Sequence, residues 1–277
     1  METTRKLQRL LTMTFVIATA LLLYVGCGGT GVNTAPPATT KTDAKDDRGP
    51  QIVAEYLKRD AAPYRKNRVR FTITEEGEQP KVYEIESSRK QAGDETTTFT
   101  QIVSPAEDSG LGSLTLEAKD KKTVVVTYAA SRGEFRETDT RKMFFGGLTA
   151  GELLGEWYKF DYKFLGEKDV AGVKVFEVEG KLKQGEDSIA SRITVLFRSD
   201  NYLPVGLHMF GNNDQEIRVY KTTKIAGEPG REYSARIEVE SLVYKSHIII
   251  ERLTNEFPAK MDDAMFVREK LKETVKK

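Results

Sequence analysis

The 277-residue chain is short of the side chains on which most protein chemistry depends. Cysteine occurs once, at Cys27, so no disulfide can form within the chain. A body of roughly 250 residues can bury enough core without one. Histidine occurs twice, at His208 and His247, each on an expected strand with no neighbouring residue at metal-ligand spacing, so no metal site is expected. Excess charge of either sign is missing too. The 43 Lys and Arg face 42 Asp and Glu, interspersed, without the basic stripe that a nucleic-acid surface needs. A Walker-A sequence is lacking, which excludes nucleotide hydrolysis by that route. No cofactor is expected.

What is present begins at the N-terminus. Arg5, Lys6 and Arg9 precede an uncharged run from Leu10 to Val25 that holds Phe15, Val16, Ile17, Leu21, Leu22 and Leu23. This is the layout of a secretory signal peptide. The run is short for a spanning helix, which needs about 20 apolar residues. Tyr24-Val25-Gly26-Cys27-Gly28-Gly29 follows and resembles the lipobox of bacterial lipoproteins, in which the cysteine is alkylated with diacylglycerol and becomes the mature N-terminus. Tyr24 departs from that pattern, because Leu, Val or Ile usually stands there; the alternative is an uncleaved anchor helix. Lipidation of Cys27 would leave no free thiol and exclude cysteine chemistry. The expected organisation is a lipoprotein signal peptide over 1–26, a flexible tether over 27–50 and one folded domain over 51–277. The tether is rich in Gly, Thr, Ala, Pro, Lys and Asp and cannot bury enough surface to offset its ordering entropy.

Ile52, Val53, Tyr56 and Leu57 share one face of a 3.6-residue period and predict a short helix. The period then changes to two. Alternation runs through Val69-Phe71-Ile73, Leu114-Leu116, Val124-Val126-Tyr128, Phe160-Tyr162-Phe164, Ile193-Val195-Phe197, Leu203-Val205-Leu207, Ile217-Val219, Ile237-Val239 and Ile248-Ile250. Turn residues separate the runs, as at Glu76-Gly77, Gly93-Asp94, Gly211-Asn212-Asn213-Asp214 and Gly227-Glu228-Pro229-Gly230. About ten strands, apolar on one face and without crossover helices, mean an antiparallel sheet. Thr149 and Glu152 have the capping-box spacing ahead of Leu153, Leu154 and Trp157. At the C-terminus Asp262 or Asp263 can cap a helix whose Val267, Leu271 and Val275 share a face. A sheet this long with one apolar face and few helices must curl, be capped, or bind something apolar.

Catalytic motifs do not accumulate. Gly26-Cys27-Gly28-Gly29-Thr30-Gly31 matches a dinucleotide fingerprint in letters, but lacks its strand–turn–helix context. Ser87-Ser88-Arg89-Lys90 fits S-x-x-K without companion motifs. Carboxylates are scattered over the solvent faces of strands, and no enzyme is expected. The aromatic stripe Phe160, Tyr162, Phe164 reads either as core behind a lid or as the lining of a ligand groove; Val195, Phe197, Leu207 and Val239 complete the candidate groove.

Several segments, in order, resemble the bacterial outer-membrane lipoprotein-sorting proteins of the LolA/LolB-like superfamily. They are Ile102-Val103-Ser104-Pro105 with Gly110-Leu111-Gly112-Ser113-Leu114; Val124 to Tyr128 with Arg136 and Arg141; and Phe144 to Leu153 with its Gly-Gly-Leu-Thr centre. Phe164-Leu165-Gly166-Glu167 with Ala171 to Phe176, Phe197 to Pro204, and Asn255 to Leu271 extend the match. The resemblance implies an α+β fold: a curved antiparallel sheet forming an incomplete β-barrel, with helices over its concave face. It also implies an apolar groove for acyl chains or lipoproteins. Anchoring through Cys27 fits a stationary acceptor better than a diffusing carrier. The expectation is therefore a monomeric, lipid-anchored protein facing the periplasm and acting in lipoprotein sorting, with an envelope-sensing or scaffold module without lipid cargo as the alternative. Gly28 is not the Asp that retains lipoproteins at the inner membrane in many enteric bacteria, which leans the expectation to the outer membrane.

Overall fold

A computed structural model describes residues 48–59, 62–118, 121–143 and 145–275. The expected leader, Cys27 and all but the last three residues of the expected tether lie outside the described residues. Helix α1 spans Arg48–Arg59, so it begins three residues before the expected domain boundary. Six strands follow: β1 (Tyr64–Glu75), β2 (Lys81–Ala92), β3 (Glu95–Ser104), β4 (Gly112–Ala118), β5 (Val124–Ala129) and β6 (Glu134–Thr138). After a connection that carries α2 (Ala150–Leu154) come β7 (Phe160–Val170), β8 (Val173–Leu182), β9 (Arg192–Arg198) and β10 (Pro204–Phe210). The chain closes with β11 (Glu216–Ala226), β12 (Tyr233–Ser241), β13 (Ser246–Glu256) and α3 (Lys270–Val275). Among the described residues no helix is long and apolar enough to cross a membrane.

All thirteen described strands form one antiparallel sheet in the order β6-β5-β4-β3-β2-β1-β13-β12-β11-β10-β9-β8-β7. Two meanders are joined where β1 pairs with β13, and the sheet stays open between β6 and β7. Those outer strands are consecutive in sequence, so the segment 139–159 must traverse the sheet to connect them. It does so across the concave face. Leu148, fully buried, packs there on Phe71, Ile73, Ile85, Val239 and Ile248. Gly146 sits beneath it at φ +59°, where a Cβ would lie 2.7 Å from Ile248 Cδ1; only glycine fits both the backbone angle and the gap.

Cross-strand register carries one apolar row over the concave face, from Phe164 through Val178, Val195, Leu207, Tyr220, Val239 and Ile248 to Ile73. Helix α1 covers one end, with Ile52 and Val53 packed among Phe160, Phe164, Val178, Val195 and Phe197. Its Gly49 touches the sheet itself, because a Cβ there would stand 2.8 Å from the backbone of Lys163 and Phe164. Burying such side chains supplies about 1.5–3 kcal/mol each, which is how so short a helix stays docked.

The other meander is built differently. Ser87, Thr100, Ser113 and Thr127 form a cross-strand row on the same side as Ile85. Apolar Phe99 and Leu114 point the opposite way and bury Leu271 of α3. The helix expected at the C-terminus is divided. Asp262 accepts a hydrogen bond from Ala264 N and caps a 3₁₀ turn over Asp263–Phe266, after which Val267 is extended (φ −117°, ψ 148°) and breaks the helix before α3.

Candidate functional site

Between α1 and the concave surface of β10–β13 the apolar row is not fully covered. A cavity of about 640 Å³ opens there, within the size range of ligand pockets. Its floor is Leu207, Tyr220 and Ile237, one from each of β10, β11 and β12, with Leu203 at the edge. Tyr56 of α1 and Trp157 form the back wall, their rings edge to face with centroids 5.1 Å apart. Phe257, Pro258 and Ala259, just past β13, form the front wall.

Lys58, Arg59, Arg65, Arg231 and Arg252 also line the cavity, with Glu232 the one carboxylate among the described lining residues. Lys58 is itself paired with Glu55 at 2.5 Å. Arg59, in the last turn of α1, donates to the backbone oxygens of Asn201 and Glu232 and to Glu232 Oε2, the last two at 3.0 Å. These bonds tie the end of α1 to two strand connections. The backbone N–H of Glu232 and the Arg59 guanidinium hold its carboxyl below the usual carboxylate range. Arg65 donates to Asn255 Oδ1 at 2.8 Å. Arg65 and Arg231 both face the Phe257 ring, at 5.9 and 5.6 Å from its centroid, while Arg252 lies 5.3 Å from that of Tyr233.

The seven residues expected to line a groove share the concave side. Leu207 is the one that lines the cavity. Phe160, Phe164, Val195 and Phe197 are buried in the core beneath α1. Val239 is fully buried under Leu148. Tyr162 packs against the α1 core and donates its hydroxyl to Trp157 O at 2.8 Å, and burial pushes its phenol up. Arg231, Tyr233 and Phe257 join the site although nothing in the sequence marks them. They flank turns and strand ends, and only the fold brings them to one opening. Cys27 lies outside the described residues, as does the glycine-rich stretch around it.

Next to the cavity a buried polar knot pins the crossing segment. Thr149 and Glu152 form the expected capping box: Glu152 N donates to Thr149 Oγ1 at 3.3 Å, and Glu152 Oε2 accepts from Thr149 N at 2.8 Å. The other oxygen, Oε1, accepts from Arg218 and from Tyr220 Oη, the latter at 2.7 Å. Arg218 also donates to Gly147 O at 2.9 Å and Ser241 Oγ at 3.2 Å. Side-chain exposures of 2% for Arg218 and 5% for Glu152 make this an ion pair sealed from water. Burial and the Glu152 charge push the Tyr220 phenol well up, so it stays a donor.

The rejected motifs stay apart in space. Ser87 and Lys90 project from opposite faces of β2, so S-x-x-K assembles nothing. His208 bonds Glu216 through Nδ1 at 2.6 Å on β10, whereas His247 sits on β13. No cluster suited to a metal ion occurs among the described residues.

A protein-family model described as “Uncharacterized protein” matches residues 94–273, well over half of the chain. Curated protein sequences yield no match. Solved structures with the same fold include a DUF1329 family protein from Desulfovibrio piger, with TM-score 0.73 and 16% identity, over 80% of this chain and 96% of that one. A domain from Vibrio parahaemolyticus, provisionally described as an outer membrane lipoprotein-sorting protein domain, gives TM-score 0.73 and 13% identity over 81% and 98%. A LolA superfamily protein from Nitrosomonas europaea gives TM-score 0.65 and 11% identity over 80% and 98%. The fold is thus the curved, incomplete barrel of LolA superfamily proteins, as the sequence resemblance implied.

Proposed function

The chain belongs to the family whose model spans residues 94–273, and on that premise we propose that it is a lipid-anchored envelope protein that takes acyl chains into its hollow. The observation that carries the reading is the cavity of about 640 Å³ at the uncovered part of a continuous apolar row, on a fold otherwise sealed by α1 and Leu148. Each methylene buried there contributes about 0.8 kcal/mol, so an alkyl chain binds without catalysis or nucleotide. The likeness in fold to a domain connected with outer membrane lipoprotein sorting supports a role in that process. Cys27 as the lipidation site, residues 1–26 as the leader and residues 27–47 as part of the tether would hold the domain at a membrane facing the periplasm, the outer membrane by preference. On that tether the protein acts as a stationary acceptor. Six of the seven groove candidates are packed beneath α1 and Leu148 or against that core; they become lining only if those covers lift.

The packing of those same residues favours a second reading, a sensing or scaffold module with no lipid cargo. One titration separates the two. Trp157 is the only tryptophan and lines the cavity, so its fluorescence reports occupancy. Palmitate is expected to change that signal saturably. Leu207→Glu, which puts a carboxylate on the floor, is expected to weaken binding by at least about tenfold. Unchanged binding by a folded Leu207→Glu protein contradicts the groove.

A further inference from the structure

Four hairpin connections of the sheet, β1–β2, β2–β3, β10–β11 and β11–β12, each carry Gly together with Asp, Glu, Asn or Pro, and no apolar side chain other than proline. The β12–β13 connection is Leu242-Val243-Tyr244-Lys245 instead. Three successive apolar side chains stand in this turn, exposed by 46%, 55% and 44%. Leu242 and Val243 join none of the apolar clusters that hold the sheet to its covers, so folding does not account for them. The feet of the turn are nevertheless fixed. Ser246 Oγ donates to Gly146 O at 2.8 Å, Arg218 donates to Ser241 Oγ, and Leu242 N donates to Ile217 O at 3.0 Å. The Tyr244 ring lies on Gly147, where a Cβ would stand 2.6 Å from Cδ2. An apolar projection held outward in this way marks a contact with something apolar.

We infer that the β12–β13 turn is a second membrane contact, seated in the interfacial layer of the bilayer that holds the anchor. This rests on the lipid-anchor reading and adds to it an orientation of the domain. The stretch from Cys27 to Arg48 reaches at most about 70 Å when fully extended, which keeps the turn within range of that surface. A convex tip has no pocket wall to match the shape of a protein partner, and fluid lipid needs none. Tyrosine suits the head-group level, where one end of the ring is apolar and the other wet. Lys245, the one cation of the turn, is paired with Glu76 at 2.9 Å, so the contact is apolar rather than electrostatic. From this turn β12 and β13 run back to Tyr233 and Phe257 at the cavity, about 30 Å away at the rise of a strand. A seated turn thus leaves the cavity open toward water, where an acceptor meets what it accepts.

The test uses the full chain, lipidated at Cys27 and reconstituted in phosphatidylcholine vesicles. With Cys27 alkylated, Val243→Cys supplies the single free thiol for an environment-sensitive dye. Asp94→Cys, in the β2–β3 turn at the opposite end of the sheet, supplies the control. The dye at 243 is expected to shift to the blue and to be quenched by nitroxide-labelled lipid about fivefold or more strongly than the dye at 94. Replacing phosphatidylcholine by phosphatidylglycerol is expected to leave that ratio unchanged, and Leu242→Asp in the Val243→Cys protein is expected to abolish most of it. Equal quenching at the two positions, a full effect in the Leu242→Asp protein, or an effect seen only with phosphatidylglycerol overturns the inference and leaves the anchor standing. A dye at 243 that stays in water on vesicles, yet is shielded by added envelope proteins, overturns it in favour of a protein partner. Failure of the chain to float with the vesicles overturns both the anchor and the inference.

Discussion

Along β7 to β13 the concave side reads Phe164, Val178, Val195, Leu207, Tyr220, Val239, Ile248; along β2 to β5 it reads Ser87, Thr100, Ser113, Thr127. One continuous sheet thus changes the chemistry of its inner surface partway across. In β3 and β4 of the first meander Phe99 and Leu114 point outward and are covered by α3. In β1 and β2, next to the seam, and along the second meander the apolar row points inward, covered by Leu148 and by α1. Hydroxyls need no apolar cover, so Leu148 packs on the seam and α1 on the second meander. Where that cover falls short, over Leu207, Tyr220 and Ile237, the molecule has its hollow.

The comparison breaks most readily at the polar knot, where the apolar half holds its buried charge. Arg218→Ala leaves the Glu152 carboxylate sealed and short of a partner, and is expected to cost about 3–5 kcal/mol in urea unfolding at neutral pH. The paired change Arg218→Met with Glu152→Met is expected to cost less than Arg218→Ala. A larger loss in the pair would mean that the knot contributes more than mutual neutralisation. On the other half, Leu271→Ala removes a side chain that is 1% exposed, with an expected loss of about 2–5 kcal/mol. Since α3 lies on the outer face, palmitate affinity of the folded Leu271→Ala protein is expected to stay at the wild-type value. A matching fall in affinity would show that the two faces are coupled.

A smaller effect sharpens the contrast at Glu117. Burial pushes its carboxyl above the usual range, with Arg89 pulling it back and Glu156 pushing it further. A folded value above the unfolded one means that stability is present in full below the unfolded pKa and declines as pH rises through the folded pKa. Glu117→Gln is therefore expected to raise stability at neutral pH, and the gain should vanish as pH falls through the carboxylate range. A gain that persists in acid would point to packing rather than ionisation.

These differences explain which parts of the fold were legible in the sequence. The second meander reads as alternation because Ile193, Val195 and Phe197 stand opposite polar or sheltered neighbours. Strands β2 and β3 are silent to that test, because Ser87 and Arg89, or Thr98 and Thr100, hold positions where an apolar residue would mark the buried face. β8 is silent for the opposite reason: Val175 faces one way and Val178 the other, both fully buried. The capping box at Thr149 was readable because its partners lie three residues apart, whereas the pairing of Glu152 with Arg218 spans 66 residues. The cavity was readable only at Leu207. Alternation identifies an apolar face but not which part of it a helix covers, and Arg65, Arg231 and Phe257 meet through topology alone.

Mass spectrometry of the protein purified gently from its own cells tests acyl binding most directly. The account predicts a co-purifying lipid with an alkyl chain in the wild-type protein, and its loss in Leu207→Glu. Wild-type protein that arrives without lipid, and shows no Trp157 response to palmitate afterwards, would contradict it.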